Sequence, residues 1–289
     1  MAARAQRLGV ILAILASLTG LAAQEPARRI VSIVPAVTEM LFAIGAGPQV
    51  VGVSSFDEFP PEVQSLPKVG ALLDPDVERI LALRPDLVIS YGSQTDLQRQ
   101  LERSRVPVFS YRHGGIPAIF DALERLGPAV GRAADADRLI ADIRRDLDRL
   151  RAAVRGRTRP RTLLIFERDP GALRGIYVSG GRGFLHEMLD IAGGINVFAD
   201  VDREAVQPSS ETLLARAPDV IIEVRATGLL TAAEASGEER RVWASLASIP
   251  AVRNNRIHFL NGDHLVVPGP RVARATEAFA RALHPDAFQ

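Results

Sequence analysis

The chain has 289 residues, with 35 Lys and Arg, 34 Asp and Glu, and no cysteine. Its formal charge of +1 lacks the basic footprint of a nucleic-acid binder. A chain of this length has room for two domains and buries a sufficient core without disulfides. The one lysine is Lys68, in a Leu-Pro-Lys turn, so no phosphate loop of the GxxxxGK[ST] type is present.

The first residues read as an address. Arg4 and Arg7 precede an apolar run of 14 residues, Leu8 to Leu21, and the small residues Ala22 and Ala23 follow. Charge, apolar core and small-residue exit predict a secretory signal peptide over residues 1–23. The run is shorter than the roughly 20 residues of a membrane-spanning helix. Its removal takes away two arginines and no acid, so the mature net charge becomes 33 − 34 = −1. With no cysteine to carry a lipid, the mature chain is expected free in the periplasm, as a monomer.

Short apolar runs alternate with helical patterns from there on. Arg29 to Val34 predicts a strand, and Thr38 to Ile44 a helix with Thr38 as N-cap, stopped at Gly45-Ala46-Gly47-Pro48. Further strands are expected at Val50–Val53, Leu87–Ser90 and Val106–Tyr111, with helices at about 76–83, 94–103 and 117–126 between and after them. This alternation predicts an α/β lobe over residues 24–132, built on a largely parallel sheet covered on both faces.

From Ala133 to Val154 there is no Gly or Pro, and Leu139, Ile140, Ile143, Leu147, Leu150 and Val154 share one helical face. The spacing predicts a rigid interlobe helix over 133–155, and with it limited movement between lobes. A second α/β lobe is expected over 156–289. Its strands fall at Thr162–Phe166, Ile176–Ser179, Val220–Val224 and Arg256–Leu260, and its helices at Phe184–Ile191 and Pro270–Leu283.

The halves share words. Glu78 and Glu211 each open a short helix, and seven positions later Pro85-Asp86 and Pro218-Asp219 feed a strand. Glu39-Met40-Leu41 before Gly45 matches Glu187-Met188-Leu189 before Gly193. The two lobes are therefore expected to share a construction.

Arg29 to Glu39, Val51 to Phe56, Phe59 to Val63, Leu66 to Gly70 and the two Glu…Pro-Asp units resemble the cobalamin- and iron-complex-binding proteins of ABC importers. The likeness spans nearly the whole mature chain and is greatest to the cobalamin-binding branch. It implies two lobes joined by a helix and a corrinoid ligand between them, with a ferric siderophore or haem as the alternative. It also implies delivery to a dimeric ABC permease, with Glu78 and Glu211 pairing to its arginines. Phe56 and Tyr91 match cleft aromatics of that branch, and Phe166 lies near a third. Leu72 or Leu73, and Ala205, stand where the branch carries tryptophans. Ala71-Leu72-Leu73 stand where the haem branch carries an iron-ligating tyrosine.

Open α/β sheets bind ligands at the C-terminal ends of their strands. In the first lobe this selects Pro35, Ala36 and Val37, then Ser55, Phe56 and Leu72, then Tyr91 and Tyr111. In the second it selects Phe166, Arg168 and Tyr177, then Arg225, Asp263 and His264. The five histidines are dispersed and form no metal-ligand spacing. His264 and His113 are the two that could contact a ligand's metal centre. Gly180-Gly181-Arg182-Gly183 offers backbone N–H groups to an anion. No nucleophile elbow supports the remaining alternative, an exported α/β hydrolase, and no cofactor is implied.

Overall fold

A computed structural model of the protein describes residues 25–225, 237 and 239–288; the expected signal peptide lies outside the described residues. The apolar runs of the first half form β1 (Ile30–Ser32), β2 (Val50–Val53), β3 (Leu87–Tyr91) and β4 (Val108–Tyr111). They pair in parallel in the order β2-β1-β3-β4. Ile30, Val31, Val88 and Ile89 are fully buried, as expected of a parallel sheet covered on both faces. Its helices are α1 (Pro35–Ala43), α2 (Val77–Ala82), α3 (Thr95–Arg103) and α4 (Ile116–Ala129).

Helix α1 starts three residues earlier than the sequence predicts. Pro35 takes the first helical position, where its fixed φ and missing N–H cost nothing. Thr38 is therefore inside the helix, and its hydroxyl lies 2.8 Å from Ser32 Oγ and 3.3 Å from the Val34 carbonyl oxygen.

Helix α5 (Ala133–Val154) follows, with Ala136, Ile140, Ile143, Leu147, Leu150 and Val154 buried along one side. Each large one contributes about 1.5–3 kcal/mol of burial. The opposite side carries exposed pairs such as Arg145–Asp142 at 2.8 Å and Arg151–Asp148 at 2.7 Å. These set the helix face rather than its stability, since such pairs add only a few tenths of a kcal/mol each.

The second half builds a six-stranded sheet from β5 (Arg161–Glu167), β6 (Tyr177–Ser179), β7 (Ile195–Asn196), β8 (Ala205–Val206), β9 (Val220–Arg225) and β10 (Ile257–Asn261). The order is β10-β9-β5-β6-β8, with β7 also on β5. Strands β10, β9 and β5 run parallel, while β6 is antiparallel to both of its neighbours, β5 and β8. Around it lie α6 (Phe184–Ile191), α7 (Ser210–Arg216), α8 (Pro250–Arg253) and α9 (Val272–Leu283).

One core cluster runs beneath both sheets, from Ile30 and Met40 through Ile140 and Leu147 to Leu164, Met188 and Phe279. Helix α9 packs on α5 and α6, and α4 packs on α5. Among the described residues no helix is long and apolar enough to cross a membrane.

Candidate functional site

The C-terminal ends of β1 to β4 form one rim of a cleft, and the ends of β5, β9 and β10 form the facing rim. On the first rim, the Ser54–Asp57 turn is held from inside. Buried Asp57 accepts the Ser54 N–H at 2.8 Å, and Lys68 Nζ donates to the Asp57 carbonyl at 2.8 Å. Ser55 is exposed, with its N–H donated to the Gly70 carbonyl at 2.9 Å. Phe56 is left 73% exposed.

Tyr91 and Tyr111 are partners across β3 and β4, and their rings meet edge-on at 6.1 Å. Burial pushes both phenols above their usual pKa, with Asp57 adding at Tyr91, and Tyr91 and Glu204 adding at Tyr111. The buried Tyr111 hydroxyl has no hydrogen-bond partner among the described residues. Gln94 ties Tyr91 to the neighbouring loop. Its Oε1 accepts the Tyr91 N–H at 3.0 Å and its Nε2 donates to the Leu72 carbonyl at 3.0 Å. That loop presents Leu72 and Leu73, 42% and 94% exposed.

Pro35 is half-buried, Ala36 is nearly covered, and Val37 is fully buried in the core. Val37 therefore packs in the core cluster rather than on the rim.

On the facing rim, Phe166 and Tyr177 lie 6.3 Å apart at 36°. The arginines expected beside them are engaged with acids. Arg168 Nε lies 2.9 Å from Glu223 Oε1, and Arg168 also pairs with Glu239. Arg225 pairs with Glu223, and with Glu239 at 2.9 Å. The side chains of Arg168 and Glu223 are 2% exposed. Burial alone would raise the Glu239 carboxyl, but bonds from Arg225, Arg168 and the Gly171 N–H overcome it and hold the carboxyl below its usual range. Arg168 is enclosed in this network rather than open to the cleft.

Asp263 is likewise taken. Arg271 donates to it at 2.7 and 3.2 Å, and these bonds outweigh burial to hold the carboxyl low. His264 is 12% exposed beside it, and burial, with Arg274 and Arg271, depresses its pKa.

A cavity of about 270 Å³ lies between the rims, lined by His113, Phe166, Arg182, Phe184, Glu204 and Ala205 among others. His113 comes from the first lobe and Glu204 from the second, 3.8 Å apart, and His113 sits edge-on to Phe184 at 5.6 Å. Ala205 leaves room here that a large side chain would fill. Two larger surface grooves, about 460 and 710 Å³, lie along α5 and beside Pro26, away from the C-terminal strand ends.

The glycine loop does not offer a free anion cradle. Gly180, Gly181 and Arg182 donate their N–H groups to the carbonyls of Glu204, Val201 and Arg203 at 3.0, 2.8 and 3.2 Å. Gly180 and Gly181 are there for close approach, since a Cβ at either would collide with the backbone of residues 199–203.

Glu78 and Glu211 are exposed in the first turns of α2 and α7. The helices are capped by Asp76, which accepts the Arg79 N–H at 2.9 Å, and by Ser209, which accepts the Thr212 N–H at 3.2 Å. Neither glutamate is needed as the cap. Among the described residues no cluster of three or more His, Asp or Glu is placed to hold a metal ion.

Sequence reasoning missed the Arg168–Glu223–Arg225–Glu239 network and the role of Arg271. It singled out Glu39 and Glu187 only as repeat words.

The chain matches the periplasmic binding protein family over residues 30–263. An ABC transporter substrate-binding lipoprotein of Bacillus subtilis is 29% identical over 274 residues, 92% of this chain and 82% of the relative. The crystal structure of the periplasmic vitamin B12 binding protein of Vibrio cholerae is 27% identical with a TM-score of 0.76, over 91% of this chain and 99% of that one. The apo periplasmic haem-binding protein of Roseiflexus sp. RS-1 is 28% identical with a TM-score of 0.75, over 90% of this chain and 99% of that one.

Proposed function

This chain belongs to the periplasmic binding protein family, and we propose on that premise that it captures a corrinoid in the interlobe cleft and delivers it to an ABC permease. The observation that carries the ligand reading is the character of the cleft walls. Phe56, Leu72 and Tyr91 on one side and Phe166 and Tyr177 on the other are flat or apolar surfaces, while Arg168 and Asp263 are already paired. Such a cleft suits a broad, planar, mostly apolar macrocycle that carries few charges to be matched. A corrinoid is larger than the 270 Å³ cavity, so it would extend from there toward Phe56 and Leu72.

Haem is the second reading, favoured by one observation. His113, 42% exposed at the cavity wall, is placed to approach a metal from one face. In both readings the lobes are residues 24–132 and 156–289 joined by the 133–155 helix, and the signal peptide at 1–23 is cleaved to leave the chain in the periplasm as a monomer. Glu78 and Glu211 dock one lobe each onto the permease.

The test is equilibrium binding of the purified mature protein to cyanocobalamin, haem and ferric siderophores, read by quenching of the protein's fluorescence. Saturable quenching by cyanocobalamin with no change in the ligand is the expected result. Binding of a siderophore with no binding of either macrocycle would overturn the reading.

A further inference from the structure

The Glu-Met-Leu repeat has a structural counterpart that ligand binding does not explain. Glu39 lies on α1 in the first lobe and Glu187 on α6 in the second, at matching places, each six residues before a helix-ending glycine. Each carboxylate crosses to the opposite lobe. Glu39, 4% exposed, accepts two bonds from Arg271, at 2.8 Å from Nε and 2.5 Å from Nη2. Arg271 immediately precedes α9, is shared with Asp263, and stacks on Phe59 of the first lobe at 4.0 Å. Glu187 accepts the N–H of Ile116 at 2.7 Å, at the open N-terminus of α4. The preceding residue is Gly115, where a Cβ would collide with the Glu187 carboxylate.

The two bridges engage the first sheet at separate places. α1 leaves β1, and α4 leaves β4 at the sheet's edge. One bridge alone would let the lobes rotate about it, whereas two spaced bridges resist both opening and twist. A fork of charge-assisted bonds also has a narrow geometric optimum. Burial pushes the Glu39 carboxyl up against the pull of Arg271, so this bridge has been placed where it is costly to maintain.

We propose that Glu39 and Glu187 are repeat-related positioning residues that hold the two lobes at one preset separation, so that the cleft has its binding width before ligand arrives. The proposal takes the interlobe cleft as the ligand site, but its first test needs no ligand. The chain has no cysteine, so Leu73→Cys and Arg203→Cys, both exposed and one per lobe, carry a spin-label pair across the cleft. The otherwise unaltered pair should give a single narrow distance distribution without ligand. Adding Glu39→Leu and Glu187→Leu should broaden it. Gly115→Ala, which displaces the Glu187 carboxylate without removing it, should broaden it in part. With Glu39 intact, Glu187→Leu should broaden the distribution in part, whereas Glu187→Gln keeps an acceptor for the Ile116 N–H and should leave it narrow.

If the open forms leave about one molecule in ten at the binding width, cyanocobalamin affinity of the label-free Glu39→Leu/Glu187→Leu protein, with Leu73 and Arg203 intact, falls about tenfold. A narrow, unshifted distribution in a folded Glu39→Leu/Glu187→Leu variant overturns the proposal, as does failure of Glu187→Gln to behave differently from Glu187→Leu. Broadening in a protein that binds no cyanocobalamin even before mutation sustains the proposal and overturns the corrinoid reading instead.

Discussion

The two rims of the cleft are built from the same fold grammar and finished differently. The first-lobe rim is held by the Gln94 amide and by the Ser54–Asp57 turn with Lys68, and it presents Phe56, Leu73 and Tyr91. The second-lobe rim is filled with charge that is already spent, in the Arg168–Glu223–Arg225–Glu239 network and the Arg271 fork. A strand end therefore does not declare its role by residue type. Arginine at a cleft rim suggests an anion site until its acids are found, and here they are internal. Both rims carry aromatic side chains, and the second adds a buried network of ion pairs.

The largest test of this contrast is Arg168→Met. Two carboxylates at Glu223 and Glu239 would be left with Arg225 alone, and breaking such a buried pair costs about 3–5 kcal/mol. Scanning calorimetry should show a clear fall in Tm. An unchanged Tm would mean that the network is not structural and that Arg168 is free for ligand after all.

Phe56→Ala is the mirror experiment. Exposed at 73%, Phe56 should change stability by no more than about 0.5 kcal/mol. Loss of one aromatic contact should weaken cyanocobalamin binding about tenfold, or ~1.4 kcal/mol. A folded variant with full affinity would remove the first-lobe rim from the contact surface.

Acid should reach the second lobe first. His258, His264 and His284 all lie there, and burial, with neighbouring arginines, lowers the pKa of each. A depressed folded value means the unfolded chain takes up protons first. Stability is then full above about pH 6.5 and is lost as pH falls through the folded values. Trp243, fully buried in the second lobe's core, should report the weakening. A Tm that stays flat from pH 8 to pH 5 would contradict the assignment.

The gentlest perturbation is Glu78→Ala with Glu211→Ala. Ligand affinity and Tm should hardly move, because Asp76 and Ser209 still cap the helices. Uptake through the permease should fall at low salt and the gap to wild type should narrow at high salt. Normal low-salt uptake would return both glutamates to helix starts.

The fold was readable because its signals are periodic. The buried face of α5 follows the spacing of Ile140, Ile143, Leu147 and Leu150, and burial in β1 and β3 follows their apolar runs. Thr38 misled because two start signals competed, and Pro35 at the first helical position prevailed over a hydroxyl three residues on. The site was less readable because ion pairing has no period. Glu39 and Arg271 are 232 positions apart, and nothing local to Arg168 points to Glu223 or Glu239. The repeated Glu-Met-Leu was the one visible trace of the cross-lobe bridges, and it named the residues without their partners.

The core shared by the two sheets also governs how the chain is assembled. Helix α9 closes a cluster that begins at Ala27. A chain made from its N-terminal end has completed the entire first sheet before that helix exists. In the interval the apolar faces of α5 and α6, which α9 covers, stand open to water and to other chains. Closing the core joins segments far apart in sequence, a slow step that no local structure can replace. A truncation before residue 272 would leave an uncapped core open to proteases, with no smaller working unit inside it.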